Sequence, residues 1–191
     1  MSPEAHKKLK QKVTALAKEV GNVKFCACVI SHALARNQSH DDLVPFGANT
    51  VLGKFSAFLS ENGSYGYAIL DHIPVKQPFV YLKEKFQTGL TFPDSPPIRL
   101  DRSLEFSQAS DGTCHLCSVA DVMLGSFRYC VNEPDNEEAG KAMFPALRSM
   151  MWDRERNGKK DVSDCGLVLR PTNVQEAKHK AESDALTQRL Q

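Results

Sequence analysis

Residues 114–125 read CHLCSVADVMLG. Two cysteines flank a His-Leu pair, and one aspartate follows inside an apolar run. Three readings are open for this stretch: a metal knuckle, a redox pair, or a helix that brings a carboxylate to a core.

A structural zinc site needs four ligands. Cys114 and Cys117 have the usual two-residue gap, and Cys26 and Cys28 are the remaining candidates. Those two share a strand face, since side chains two apart point the same way. The redox reading rests on Cys114-x-x-Cys117 preceding a helix, where the helix end lowers a thiol pKa. The plainer alternative is that Cys26, Cys28, Cys117 and Cys130 are small apolar core residues. In the third reading, Leu116, Ala120, Leu124, Phe127 and Val131 form a helical stripe, widened by Val119, Met123 and Cys130. Asp121 lies beside it, and a carboxylate near a core needs a partner or a metal. Gly125, one turn on, removes a side chain next to that acid. A carboxylate facing solvent explains Asp121 equally well.

The surrounding chain has 191 residues, 41% hydrophobic and 25% charged, the balance of one globular domain. Its formal charge of +1 gives no global basic field for nucleic acid. A local patch in HKKLKQK (6–12) is the candidate exception, although a solvated helix face accounts for it as well. No run of about 18 apolar residues occurs, so no membrane span is expected. The start lacks the apolar run of a signal peptide. Six cysteines without such a leader point to reduced thiols in the cytoplasm.

Ser2-Pro3-Glu4 starts a helix with Leu9, Val13, Leu16 and Val20 on one face, and Gly21-Asn22 ends it. VKFCACVIS (23–31) is a strand apolar at nearly every position, as for a strand covered on both faces. A polar loop (35–45) precedes a helix over 46–59. YGYAILDHI (65–73) is a second strand, with Asp71 near its end. A short helix spans 79–86, TFPDSPPIRL (91–100) is a proline-rich loop, and SLEFSQA (103–109) is a third strand. Helices follow over 116–132 and 139–153, then a strand in CGLVLRP (165–171). A polar helix over 174–190 has Ala177, Ala181, Ala185 and Leu190 as a weak apolar side. Alternating helices and strands predict an α/β fold with at least part of the sheet parallel.

YGYAILDHI, LEFSQASDGTCHLCSVADVMLGSFRYCVN and CGLVLRP together resemble the bacterial family catalogued as domain of unknown function 3800. The resemblance runs from Val23 to Pro171. Leu116, Ala120, Asp121 and Gly125 match the family's helix pattern, Ser110 its preceding serine, and Asp71 its strand-end acid. Cys117 stands where the family has Gln, and Ala109 where it often has an acid. The family's leading Asp-Glu-Ser-Gly strand is not in the sequence.

The resemblance implies a ribonuclease-H-like mixed sheet flanked by helices, without its first three strands. The whole chain, 1–191, would be a single domain: a shortened core over 1–132 and a helix-strand-helix extension over 133–191. The implied activity is metal-dependent hydrolysis of nucleic-acid phosphodiesters, in a phage-defence or mobile-element setting. Such enzymes hold two ions about 4 Å apart with three or four carboxylates. Asp71 and Asp121 would be both metal ligands and catalytic acids, for Mg or Mn. Ser110, Gly125 and His72 would support them, and Arg128 would meet a phosphate. Without the leading carboxylate, the alternative is a non-catalytic remnant or association module. Its bare 23–31 strand edge would pair with a second copy or a partner protein. A thiol or zinc protein is the third reading, with zinc the lesser half of it.

Overall fold

A computed structural model describes residues 2–31, 39–71, 75–92, 95–109, 113–133, 143–172, 174 and 176–190. The element order is α1 (Pro3–Val20), β1 (Ala27–Ile30), α2 (His40–Glu61), β2 (Gly66–Leu70), α3 (Pro78–Thr88), β3 (Leu90–Phe92), β4 (Ser95–Ile98), β5 (Ser103–Gln108), α4 (His115–Asn132), α5 (Phe144–Met150), β6 (Arg154–Arg156), β7 (Lys159–Asp161), β8 (Leu167–Arg170) and α6 (Ala177–Leu190). No helix among the described residues is long and apolar enough to cross a membrane. The chain divides into two compact units. A split unit contains Met1–Leu34 and Ser118–Gln191, and a continuous unit contains Ala35–Cys117.

In the split unit, α1 has the predicted ends. Ser2 Oγ accepts the Ala5 N–H at 3.3 Å, and Gly21 closes the helix in the left-handed region at φ 75°. Its predicted inner face is not the one buried. Leu9, Leu16 and Val20 are exposed, whereas Thr14 and Ala17 are buried. The small pair lets α1 pack against α5.

β1 pairs in parallel with β8, from Ala27 opposite Leu167 to Ile30 opposite Arg170. Just before β1, Phe25 N–H donates to Met150 O at 2.8 Å, and Trp152 N–H donates to Phe25 O at 3.0 Å. That bridge ends α5, because Met151 turns extended to make it. The helix predicted to run to Asp153 therefore stops at Met150. Residues 139–142, the first part of that prediction, lie outside the described residues.

Gly166 sits where a Cβ would meet the Trp152 backbone, so only glycine lets the two segments approach. The core joins α1, α4, α5, β1 and β8: Ala17, Ala27, Phe127, Leu147, Met151 and Leu167 are all buried in it. Phe25 and Phe127 meet edge to face at 5.5 Å between centroids.

Asn157-Gly158 turns the β6–β7 hairpin, with φ 52° and 72° at the two positions. These are the two positive φ values a tight antiparallel turn requires. Asn-Gly is the sequence signal for such a turn. On α6 the half-buried or buried side is His179, Ser183 and Leu186, while Ala177, Ala181 and Ala185 are exposed.

In the continuous unit, α2 begins six residues before the predicted start at Phe46. Ser39 Oγ accepts the Asp42 N–H at 3.3 Å, and Asp42 Oδ2 accepts the Ser39 N–H at 3.2 Å. This capping box satisfies end donors that the helix leaves free, and α2 continues through Pro45. β2 pairs in parallel with β5, Ala68 opposite Phe106 and Leu70 opposite Gln108. The predicted proline-rich loop contains a short antiparallel pair, β3 with β4, whose Pro96 and Pro97 lie in an exposed strand. Proline fits an edge strand because it lacks the N–H that a second partner would need. The core is small: Leu52, Leu90 and Leu100 are buried, with Ala68, Leu70, Phe92 and Phe106 against them.

The α/β class and the parallel pairing thus stand. Among the described residues the strands form four two-stranded sheets, with β1 and β2 in different ones.

Candidate functional site

Asp71 directly follows β2 in the continuous unit and is exposed. Leu70 O accepts the Ala109 N–H at 2.8 Å, so the chain leaving β5 passes beside the residue before Asp71. This is the carboxyl end of a parallel strand pair, the usual position for a ligand in an α/β sheet. Asp71 also borders a groove of about 490 Å³ between α2 and β2. Gly47 and Ala48 on α2 leave the space; Val51, Phe55, Tyr67 and Ile69 line it. Sequence reasoning placed Asp71 at the strand end but missed the groove. The small pair at 47–48 was the available signal. His72 and Ser110 lie outside the described residues.

Asp121 lies in the split unit on α4 and is also exposed. The helix buries Met123, Ser126, Phe127 and Cys130. Leu116 is 71% exposed, and Val119 and Leu124 are exposed too. The buried stripe is therefore rotated from the predicted one, and Asp121 is on the outward side. Gly125 is half-buried, and a Cβ there would lie 3.9 Å from Lys10 Nζ of α1. Arg128 is exposed, two turns beyond Asp121.

Each unit thus contains one of the two predicted acids. Among the described residues there is no group of three or more His, Cys, Asp or Glu side chains able to hold a metal. Asp71 and Asp121 each offer hard oxygen donors suited to Mg, but among the described residues neither unit gathers the three or four carboxylates of a two-ion centre. The described donor set does not fit that centre.

The cysteines also divide by unit. Cys26, Cys28, Cys130 and Cys165 belong to the split unit, and Cys114 and Cys117 to the continuous one. The proposed four-thiolate set of Cys26, Cys28, Cys114 and Cys117 is not gathered within either unit. Cys130 and Cys165 are buried, while Cys26, Cys28, Cys114 and Cys117 are partly exposed. Burial pushes the Cys130 thiol up to about 11 and raises that of Cys165. Cys26 Sγ donates to Cys165 O at 3.0 Å. Cys114 is the opposite case. It immediately precedes α4, and its Sγ accepts the Cys117 N–H at 3.5 Å. That N–H, then the Cys117 thiol, hold the Cys114 pKa below its ordinary value.

A second cavity, of about 100 Å³ in the split unit, is lined by Val29, Arg170, His179 and Glu182 among others. His179 Nδ1 lies 3.3 Å from Glu182 Oε2, and its Nε2 lies 3.4 Å from Glu176 Oε2. Both ring nitrogens therefore have carboxylate neighbours, Glu182 on α6 and Glu176 just before it.

Comparison with protein-family models, curated proteins and solved structures finds no match to this chain.

Proposed function

We propose that this chain is a ribonuclease-H-like protein acting on nucleic-acid phosphodiesters, with Asp71 and Asp121 as its acidic positions. One observation carries the reading. Asp71 stands at the carboxyl end of a parallel pair, on the rim of the α2–β2 groove, and the paired strand leads into the helix carrying Asp121. This is the order of acid, strand and helix on which the family resemblance rests. Tyr67, 64% exposed beside the groove, offers a face on which a base would stack. Dependence on a divalent ion is what the family resemblance implies. The test is cleavage of end-labelled single- and double-stranded DNA and RNA with Mg or Mn. The expected result is metal-dependent cleavage, lost in both Asp71→Asn and Asp121→Asn with far-UV circular dichroism unchanged. No cleavage by the wild type, or cleavage unaffected by either substitution, would overturn the reading.

A second reading is an association module. β1 with β8 and β2 with β5 are two-stranded among the described residues, and a strand edge is a template for pairing with another chain. A monomeric mass by light scattering across micromolar concentrations would count against self-association.

A further inference from the structure

The cysteine chemistry supports a site that the acids do not use. Cys130 and Cys165 are buried, with their thiols shifted away from ionisation. Cys26 donates its S–H to a carbonyl. Cys114 and Cys117 differ from all three. Cys114 occupies the position of a helix N-cap, where a side-chain acceptor receives the N–H of the third helical residue. That donor is the N–H of Cys117, the second cysteine of the pair. The side chain of Cys114 is therefore folded over the residue that carries the other sulfur.

Each remaining requirement of a reactive dithiol is met by a separate feature. The attacking species in thiol chemistry is the thiolate. The N–H and S–H of Cys117 and the N–H of Leu116 all favour the thiolate of Cys114. Access is open: both cysteines are partly exposed, and Thr113, His115 and Leu116 around them are exposed. A resolving thiol is supplied one turn along the same helix. Both sulfurs belong to the continuous unit, so the pair is complete within it.

We propose that Cys114 and Cys117 form a reversible dithiol–disulfide site that exchanges two electrons with small aliphatic disulfides. The Cys114 thiolate attacks one sulfur of the small disulfide and forms a mixed disulfide, and the first small thiolate leaves. Cys117 gives up its proton, attacks Cys114 Sγ and forms the intramolecular bond, and the second small thiolate leaves. The two protons from the cysteines end on the two released thiols. The protein is oxidised by two electrons and the small disulfide is reduced by the same two.

The experiment uses the full reduced chain and oxidised glutathione as the probe. Trypsin releases Ser103–Arg128 as a peptide that holds Cys114 and Cys117 and no other cysteine. Its mass is expected to fall by two hydrogens on treatment and to return with dithiothreitol. Cys117→Ser should stop at a stable glutathione adduct on the same peptide. In timed alkylation, Cys114 should be labelled before Cys26 and Cys28, and Cys130 and Cys165 only after denaturation. The wild-type exchange decides the matter even if a variant fails to fold. An unchanged 103–128 mass, labelling of Cys114 no faster than Cys26 and Cys28, or stoichiometric zinc on the purified chain would overturn the proposal.

Discussion

The split and continuous units solve the same folding problem differently. The split unit is closed by long-range contacts: Cys26 and Cys165, 139 residues apart, are hydrogen-bonded beside the β1–β8 pair. Closing so long a loop is entropically unfavourable before its contacts form. It is offset by a core of twelve buried residues, among those described, drawn from both chain segments. The continuous unit uses nearer neighbours, and among the described residues its core cluster has three buried side chains, Leu52, Leu90 and Leu100, with Leu59 and Leu82 buried outside that cluster. Tyr65, Tyr67, Ile69, Phe79 and Val80 remain exposed there. Stability is therefore concentrated in the unit that carries Asp121, and exposed apolar surface in the unit that carries Asp71.

The strongest challenge to this contrast comes from truncating each core. Leu147→Ala in the split unit should cost about 4 kcal/mol, and Leu90→Ala in the continuous unit about 2 kcal/mol, by urea unfolding. Both side chains are fully buried, so a larger loss at Leu90 would reverse the ranking.

Gly166→Ala sharpens the contrast by targeting one pairing. The added methyl meets the Trp152 backbone, and such overpacking costs about 1–3 kcal/mol. Exchange should speed up at the Ala27 and Ser31 amides, which donate to Gly166 O and Arg170 O. The Ala109 amide, which donates to Leu70 O in the continuous unit, should not change. Equal acceleration at all three would mean that the units open together.

Ser39→Ala is the converse probe and should cost about 0.5–2 kcal/mol through the lost cap. It also carries a pH signature. The Ser39 hydroxyl and then its backbone N–H hold the Asp42 carboxyl below its ordinary value. A depressed folded-state pKa contributes stability above the unfolded value, and that contribution is lost as pH falls through the folded value. The variant should therefore show a flatter loss of stability below about pH 4. Asp161 is the split unit's counterpart, lowered first by the Ser163 N–H, which donates to its Oδ1 at 2.8 Å. Asp161→Asn should flatten the same acid limb. An acid limb unchanged in both variants would remove these two carboxylates from the pH dependence.

The smallest effect is expected at Asp121→Asn. An exposed helix position should shift stability by no more than about 0.5 kcal/mol. A larger loss would tie Asp121 to the fold and make its cleavage phenotype uninterpretable as chemistry.

Legibility followed how local the cause was. Ser2-Pro3 and Gly21 mark both ends of α1 from within the helix itself. The face of α1 was not legible, because close packing on α5 selected Thr14 and Ala17 over the larger Leu9 and Leu16. The Asn157-Gly158 turn is legible from the pair itself; the edge strand holding Pro96 and Pro97 is hidden by residues that ordinarily argue against a strand. At the candidate site, Asp71 was legible because strand YGYAILD ends there. The outward side of Asp121 was not, since the apolar residues of α4 outnumber the positions its neighbours cover.

Local chemistry in the sequence determined where helices begin and strands run, that the class is α/β, and that Cys114 is followed one turn later by a second thiol. Backbone capping, side-chain alternation and helical spacing act over a few residues, so they can be read along the chain. Only the tertiary structure decided that β1 pairs with β8, which α4 residues are buried, and that Asp71 and Asp121 belong to different compact units. Those outcomes depend on which distant surfaces meet, and packing between segments far apart in the chain is not encoded at either segment alone.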